Sequence, residues 1–367
     1  MTRKVIVYRH PSDFPTEVAA LFERAANREL EMSAPWHANL IDAVFQGEDS
    51  PAIYVLVSDG QARAAVALLH RRKWWGHELR SMANFYTSYS EPLLAEDAGL
   101  PECLALLDGI RSQHKRLVSL YLGPLDPDSP ASVHWKAALE SRRYACFLQF
   151  RFANWYLPTN GDWESYLAER DSQIRNTLKR KQPKFLSAGG RLQVYRNLAD
   201  LDDALSAYQH VYAKSWKRPE PYPQFIPGLL RCATEQGWLR LGIATLHGTP
   251  IAAQIWLVNR GRAAIFKLAY DEAFKSYSAG SLLTAHLMQE VMSNDGVREV
   301  DYLIGNDAYK QGWMSHRRDR KAIQAFNLQH PVGCFGAVRE LLADQTRPLR
   351  EWWRQLSTRS STEAASK

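Results

Sequence analysis

The sequence predicts an α/β (α+β) protein of two similar domains, each a mixed, mainly antiparallel sheet flanked by helices. Three observations predict it. Gly-containing turns separate β-rich runs in both halves of the 367-residue chain. The order hairpin, hairpin, helix, strand occurs twice. Each copy follows a stretch whose apolar residues recur at helical spacing.

In the first half the lead-in is a helix over 17–32, with Val18, Leu21, Phe22 and Ala25 on one face. A strand over 53–57 reaches the turn at Asp59-Gly60. A strand over 64–69 follows, then a turn at Trp75-Gly76 and a strand over 78–83. A helix over 101–115 leads to a strand over 117–122 that ends in Gly123. In the second half the lead-in is 201–215, with Leu201, Ala204, Leu205, Tyr208, Val211 and Tyr212 as its stripe. Strands over 239–245, 251–258 and 263–270 are separated by His247-Gly248 and Arg260-Gly261. A helix over 281–293 and a strand over 300–304, ending in Gly305, complete the copy. The interval from Gly60 to Gly123 nearly equals that from Gly248 to Gly305. Chance recurrence of a common α/β pattern is the competing reading.

A strand over 321–329 and a helical start at 338–342 follow. The expected division is 1–155, 156–335, and a helical tail over 336–367 with a disordered end. The first boundary is placed at Pro158-Thr-Asn-Gly161.

Composition bounds the function. A hydrophobic fraction of 46% and an aromatic fraction of 11% suffice for packed cores, and the net charge of +7 favours phosphate-bearing partners. Cys103, Cys146, Cys232 and Cys334 stand far apart, without metal-ligand spacing, and are expected to be small buried residues. No run resembles a signal peptide or a membrane helix, so a cytoplasmic protein without integral membrane contact is expected. There is no Walker A loop, dinucleotide fingerprint, His-Glu-x-x-His, Cys-x-x-Cys pair or Gly-x-Ser-x-Gly elbow. Kinases, dehydrogenases, zinc hydrolases and serine esterases are thereby disfavoured, and no metal is expected.

The segment from Tyr270 to Trp313 carries the chemistry. Ser278, Ala279, Gly280, Ser281 and Leu282 open a helix, where unpaired N–H groups and the positive dipole end suit a phosphate. A capped helix end that binds nothing is the bland reading. Lys267 and Tyr270 lie on the preceding strand, one face of which should border the donor. Asp301, Tyr309 and Lys310 can serve as base, acid and electrostatic clamp for group transfer. A local cap or loop support would use the same residues. In the first half the loop with Asn84, Tyr86 and Tyr89 stands where this turn stands in the second, but lacks the Ser-x-Gly helix start. It is expected to hold the acceptor, with Trp216 and Trp313, unless it is a packed surface loop. A basic run (Arg175, Lys179, Arg180, Lys181, Lys184) and a second at Arg317, Arg318 and Arg320 can steer an anionic donor. Solvated faces are the alternative.

The motifs Tyr270-Asp271, Ser278-Ala279-Gly280, Asp301, Gly305, Tyr309-Lys310 and Trp313 resemble the Acetyltransferase-6, BioF2-like (CelD-like) branch of the GNAT acyltransferases. That branch is related to the FemABX aminoacyl transferases. The run from Ser172 through Arg175 to Arg180 resembles the segment that opens the family's domain. The likeness covers 162–329 well and the first half only through the tandem arrangement. Ala279 stands where the family commonly has Pro. The resemblance implies tandem GNAT-like domains and acyl transfer from acyl-CoA to an amine or hydroxyl, with a small-molecule or glycan acceptor. An aminoacyl-tRNA-dependent transferase and an inactive scaffold or nucleic-acid-binding protein remain the alternatives.

Overall fold

The computed structural model describes residues 3–47, 49–159, 162–343 and 345. Its strands join one 13-stranded sheet. The first half contributes β1 (Arg3–Tyr8), α1 (Thr16–Ala26), α2 (Ala34–Ala43), β2 (Ser50–Ser58), β3 (Gln61–Lys73) and β4 (Gly76–Ser81). A short β5 (Leu93–Leu94), α3 (Leu100–Gln113), β6 (Leu117–Leu125), α4 (Pro130–Ser141) and β7 (Tyr144–Pro158) follow. The second half contributes α5 (Trp163–Ala168), α6 (Ser172–Ser187), β8 (Gly190–Tyr195), α7 (Leu201–Lys214), α8 (Phe225–Glu235) and β9 (Leu239–Leu246). Then come β10 (Thr249–Asn259), β11 (Arg262–Tyr270), α9 (Ala279–Ser293), β12 (Glu299–Asp301), α10 (Ala308–Trp313) and β13 (His316–Asn327). A last helix, α11, occupies 331–343.

The duplicated order expected from the turns is present, and the strands run longer than their apolar cores because flanking residues complete the ladders. Several elements escaped the sequence: β1, α2, α4, α5, β5, β7, β8, α8 and α10. The largest omission is β7. The expected 155/156 boundary lies within it, and the strand runs through that point unbroken. Of the punctuating residues, 160 and 161 fall outside the described ones, as does the expected disordered end.

The two halves exchange strands. β13 pairs with β6 of the first half over Ser119 to Leu125 and with β7 from Tyr144 to Tyr156. The far end of β7 in turn pairs with β12, placing Leu157 opposite Val300. Each half thus completes its sheet with a strand supplied by the other, so neither stops at a free edge in the middle.

Helices cover both faces. Leu283, Leu287, Met288 and Val291 of α9 pack on Trp256 and Ile265. Trp36 and Leu40 of α2 pack against Phe225, Ile226 and Leu229 of α8, joining the halves. The approach is close at Gly228: a Cβ there would lie 2.1 Å from Asn39 Oδ1, and Asn39 donates to the Phe225 carbonyl at 3.1 Å. Of the cysteines, Cys103 is buried, Cys146 and Cys232 are half-buried, and Cys334 is exposed, a correction to the expectation for the last. No helix among the described residues is long and apolar enough to cross a membrane.

Candidate active site

The cleft arises where two parallel strands part. β11 and β12 pair only from Arg262↔Glu299 to Ala264↔Asp301. β11 is then irregular between Ile265 and Lys267, where it faces the Ile255/Trp256 step of β10. On the other side the strand expected over 300–304 ends at Asp301. Leu303 takes a left-handed backbone, φ 53°, with its N–H bonded to Asp301 Oδ1. A bulky residue there is an outlier of the kind that clusters at functional sites. The strands separate, and a cleft of about 350 Å³ opens between Ile265–Leu268 and Tyr302–Ile304. The corresponding strands of the first half, β4 and β6, pair as far as Arg80, and Ser81 Oγ then accepts the Gly123 N–H.

Phe85 and Tyr86 of the first half, with Trp216, Lys217, Lys267, Asp307, Tyr309 and Lys310, complete the cleft wall. Glu220 organises one side: it accepts from Lys267 Nζ at 2.6 Å and from the Tyr86 hydroxyl. Burial opposes its charge, but the bonds from Lys267, Tyr86 and Tyr212 bring its carboxyl below the usual range. Tyr86 also stacks flat on Phe225 at 4.0 Å. Burial first, and the neighbouring Lys267 second, push the Lys217 amine down to about 8. Trp216 is half exposed at the mouth and touches Tyr270 at 4.7 Å between ring centres.

Geometry sorts the residues singled out in the sequence. Tyr86, Trp216, Lys267, Tyr309 and Lys310 meet in this cleft. Lys310 is buried, donates to the carbonyls of Ile304 and Tyr302, and pairs with Asp307 at 3.3 Å. It clamps its own loop. Gly305 makes this possible: a Cβ there would lie 3.0 Å from both Lys310 Nζ and Asp307 Oδ2.

Three expectations are corrected. Asp301 is 1% exposed and bonded to Arg262, Arg318 and Asn154. Although burial disfavours its charge, the two guanidinium groups hold its carboxyl far below the ordinary range, so it is a poor base. Tyr89 and Asn84 do not line the cleft. Tyr89 is buried beneath the Arg320 guanidinium, and Asn84 Oδ1 accepts the Tyr86 N–H at 2.9 Å. Arg318 and Arg320 point inward to Asp301, Glu299 and Glu29, which leaves Arg317 as the exposed member of that cluster.

The helix start stands beside the cleft. Ser278 is the N-cap of α9 with φ 56°, and its side chain makes no cap bond. Its carbonyl accepts the Leu282 N–H at 3.1 Å. The N–H groups of Ala279, Gly280 and Ser281 have no acceptor within the helix. They face a recess of about 190 Å³ lined by Tyr270, Asp271, Lys275 and Ser278–Ser281. Leu282 is buried behind it. Gln254, invisible as a motif, fixes this turn by donating to the Gly280 carbonyl at 2.9 Å and to Thr284 at 2.8 Å. A third recess, about 280 Å³, contains Trp313, Ser281 and Tyr309. Ser281 is shared by the two recesses and Tyr309 by the third recess and the cleft, so the helix start and the cleft are contiguous. In the first half the corresponding loop amides are already occupied: Ser88 and Tyr89 each donate their N–H to the buried Glu31 carboxyl group at 2.6 Å.

Residues 172–311 match the acetyltransferase (GNAT) domain family. The fold is similar to that of FemX, with a TM-score of 0.62 and 10% identity over 92% of this chain and 100% of that one. A conserved Bacteroides thetaiotaomicron protein of unknown function gives 0.53 at 11% identity, covering 88% of this chain and 99% of that one. The C-terminal domain of a putative lysylphosphatidylglycerol synthetase from Agrobacterium fabrum gives 0.50 at 13% identity, covering 89% and 97%. No curated protein matches in sequence. Residues 172–311 therefore match an acetyltransferase (GNAT) domain, and the chain as a whole shares the fold of FemX.

Proposed function

We propose that the protein transfers an acyl group from acyl-CoA to an amine or hydroxyl by direct attack within a ternary complex, in the cytoplasm. The observation that carries this reading is the continuity from the amides of Ala279–Ser281, through Ser281 and Tyr309, to the lysine-rich cleft. The pyrophosphate would sit at the α9 start, where the dipole and free N–H groups favour an anion. Lys275 adds charge beside it.

The acceptor nucleophile would attack the thioester carbonyl from the cleft, forming the new C–N or C–O bond as the C–S bond breaks. Lys217, whose amine is held near neutrality by burial, takes the acceptor's proton. The Tyr309 hydroxyl donates to the departing thiolate. Glu220 and Lys267 position the acceptor. The first half, 1–155, acts as a degenerate domain. Glu31 fills the place where a donor phosphate would bind, and Phe85 and Tyr86 form one wall of the acceptor side.

Calorimetry with acetyl-CoA and longer acyl-CoAs tests this reading: saturable binding is expected, and no heat from any of them overturns it. The specific rival is an aminoacyl-tRNA donor, favoured by the exposed Arg175, Lys179, Arg180 and Lys184 along α6 and by the FemX-like fold. Salt-sensitive binding of charged tRNA, without binding of CoA esters, selects that donor.

A further inference from the structure

We propose that His70, His77 and His114 form a binding site for a divalent transition-metal ion of the zinc type, in the first half and apart from the transfer cleft. One ring nitrogen from each lies within 4.8 Å of the others. None of the three lines the cleft or the recesses around α9.

The fold, not the sequence, assembles them. His70 lies near the end of β3 and His77 near the start of β4. The hairpin register sets His77 opposite Arg72, two residues from His70, so the two rings are diagonal neighbours on one face. His114 is the residue at which α3 stops. Leu117, three residues later, pairs with His77 as β6 begins, which brings the third ring over the other two. Ring centres are 4.9 Å apart for His70–His77, 4.6 Å for His70–His114 and 5.3 Å for His77–His114.

Imidazole nitrogen suits zinc, copper and nickel, and a tetrahedral zinc site needs ligand nitrogens roughly 3.3 Å apart at bond lengths of about 2.0 Å. His70 Nε2 and His77 Nδ1 are now 2.7 Å apart and share one proton; an ion between them would replace that proton. Small side-chain rotations bring all three to bonding distance. The buried Tyr54 hydroxyl, 2.6 Å from His114 Nε2, stands as an orienting partner or a fourth ligand, and the half-buried rings leave room for water. The competing reading is a hydrogen-bonded trio of rings that binds nothing.

The test is titration of the full chain, stripped with chelator, with zinc chloride and with cobalt chloride. Bound metal is counted by mass spectrometry of the gel-filtered protein, and cobalt geometry is read in the visible spectrum. One ion per chain, tetrahedral cobalt bands and a raised Tm on zinc addition are expected. His77→Gln and His114→Gln should each weaken binding at least 10-fold and abolish the Tm rise. His247→Asn, at an exposed turn, should change nothing. His77→Gln keeps the test readable if His114→Gln fails to fold, since His77 lies on a hairpin partly in solvent. Binding below one ion per chain, binding that survives either cluster substitution in folded protein, or loss with His247→Asn overturns the site. So does phosphate bound among the rings with no metal.

Discussion

Lys267 donates to Glu220 at 2.6 Å, tying the middle of β11 to the loop between α7 and α8. Glu220 also takes the Tyr86 hydroxyl, so one carboxylate fixes three walls of the cleft. Glu220→Gln keeps the shape but leaves Lys267 half-buried and unpaired. We expect a stability loss of about 1–3 kcal/mol, read by urea unfolding. Acetyl-CoA affinity should stay within a few-fold of wild type, because Glu220 lies outside the recess at α9. A loss of donor affinity of about 10-fold or more would place Glu220 on the donor instead of the acceptor side.

Lys217 should titrate near 8 instead of near the ordinary lysine value. Reductive methylation with a labelled methyl group and nuclear magnetic resonance reads this midpoint directly. The neutral amine is the base, so transfer rate should rise with pH through about 8 and level off. Lys217→Met should lower the rate roughly 100-fold or more and flatten that rise. A midpoint above about 10 removes Lys217 as base.

Ser281→Asp separates donor binding from folding. A carboxylate in the first turn of α9 favours the helix by about 0.3–1 kcal/mol but occupies the place of the anion. The expected result is an unchanged or slightly raised Tm with acyl-CoA affinity reduced at least 10-fold. Undiminished affinity would mean that the helix start is a plain cap.

Asp301→Asn should be a stability variant. It leaves Arg262 and Arg318 facing a neutral amide in a buried network, at a cost of about 3–5 kcal/mol. Because the folded carboxyl lies below its unfolded range, its contribution is present above about pH 4 and is lost as pH falls further. A stable Asp301→Asn protein with no activity would restore Asp301 as a catalytic group.

Two buried groups should bend the pH–stability curve in opposite senses. Burial brings His37 down to about 4, so its contribution is present above about 6.5 and is lost as pH falls towards 4. Burial and the nearby Glu29 push Glu31 up to about 8. Its contribution is present below about 4.5 and is lost as pH rises through 8. His37→Gln should flatten the acid limb and Glu31→Gln the neutral one, each measured by unfolding at a series of pH values. Identical curves for wild type and both variants would show that neither group titrates in these windows.

The paired hairpins, the helix at α9 and the Ser278–Ser281 turn were legible because their signals are local. Gly at a tight turn, apolar residues at helical spacing and a Ser/Gly helix start each act within about one turn of chain. Lys267, Tyr309 and Trp216 were found because they sit beside those signals. Glu220, Gln254 and Glu31 were not, since a single polar residue shows no purpose until its partner is known. Asp301 was singled out, but its two arginine partners come from β11 and β13, and they change it from base to anchor.

By itself the sequence determined which segments fold as hairpins and helices, that the pattern occurs twice, and that only the second copy has a Ser/Gly helix start. The tertiary structure decided the rest. It exchanged β7 and β13 between the halves, separated β11 from β12 to open the cleft, and brought Lys267 of β11 onto the loop that carries Lys217 and Glu220. The physical reason is that backbone conformation is set largely by neighbours in sequence. The field on a side chain, and therefore its charge and use, is set by neighbours in space.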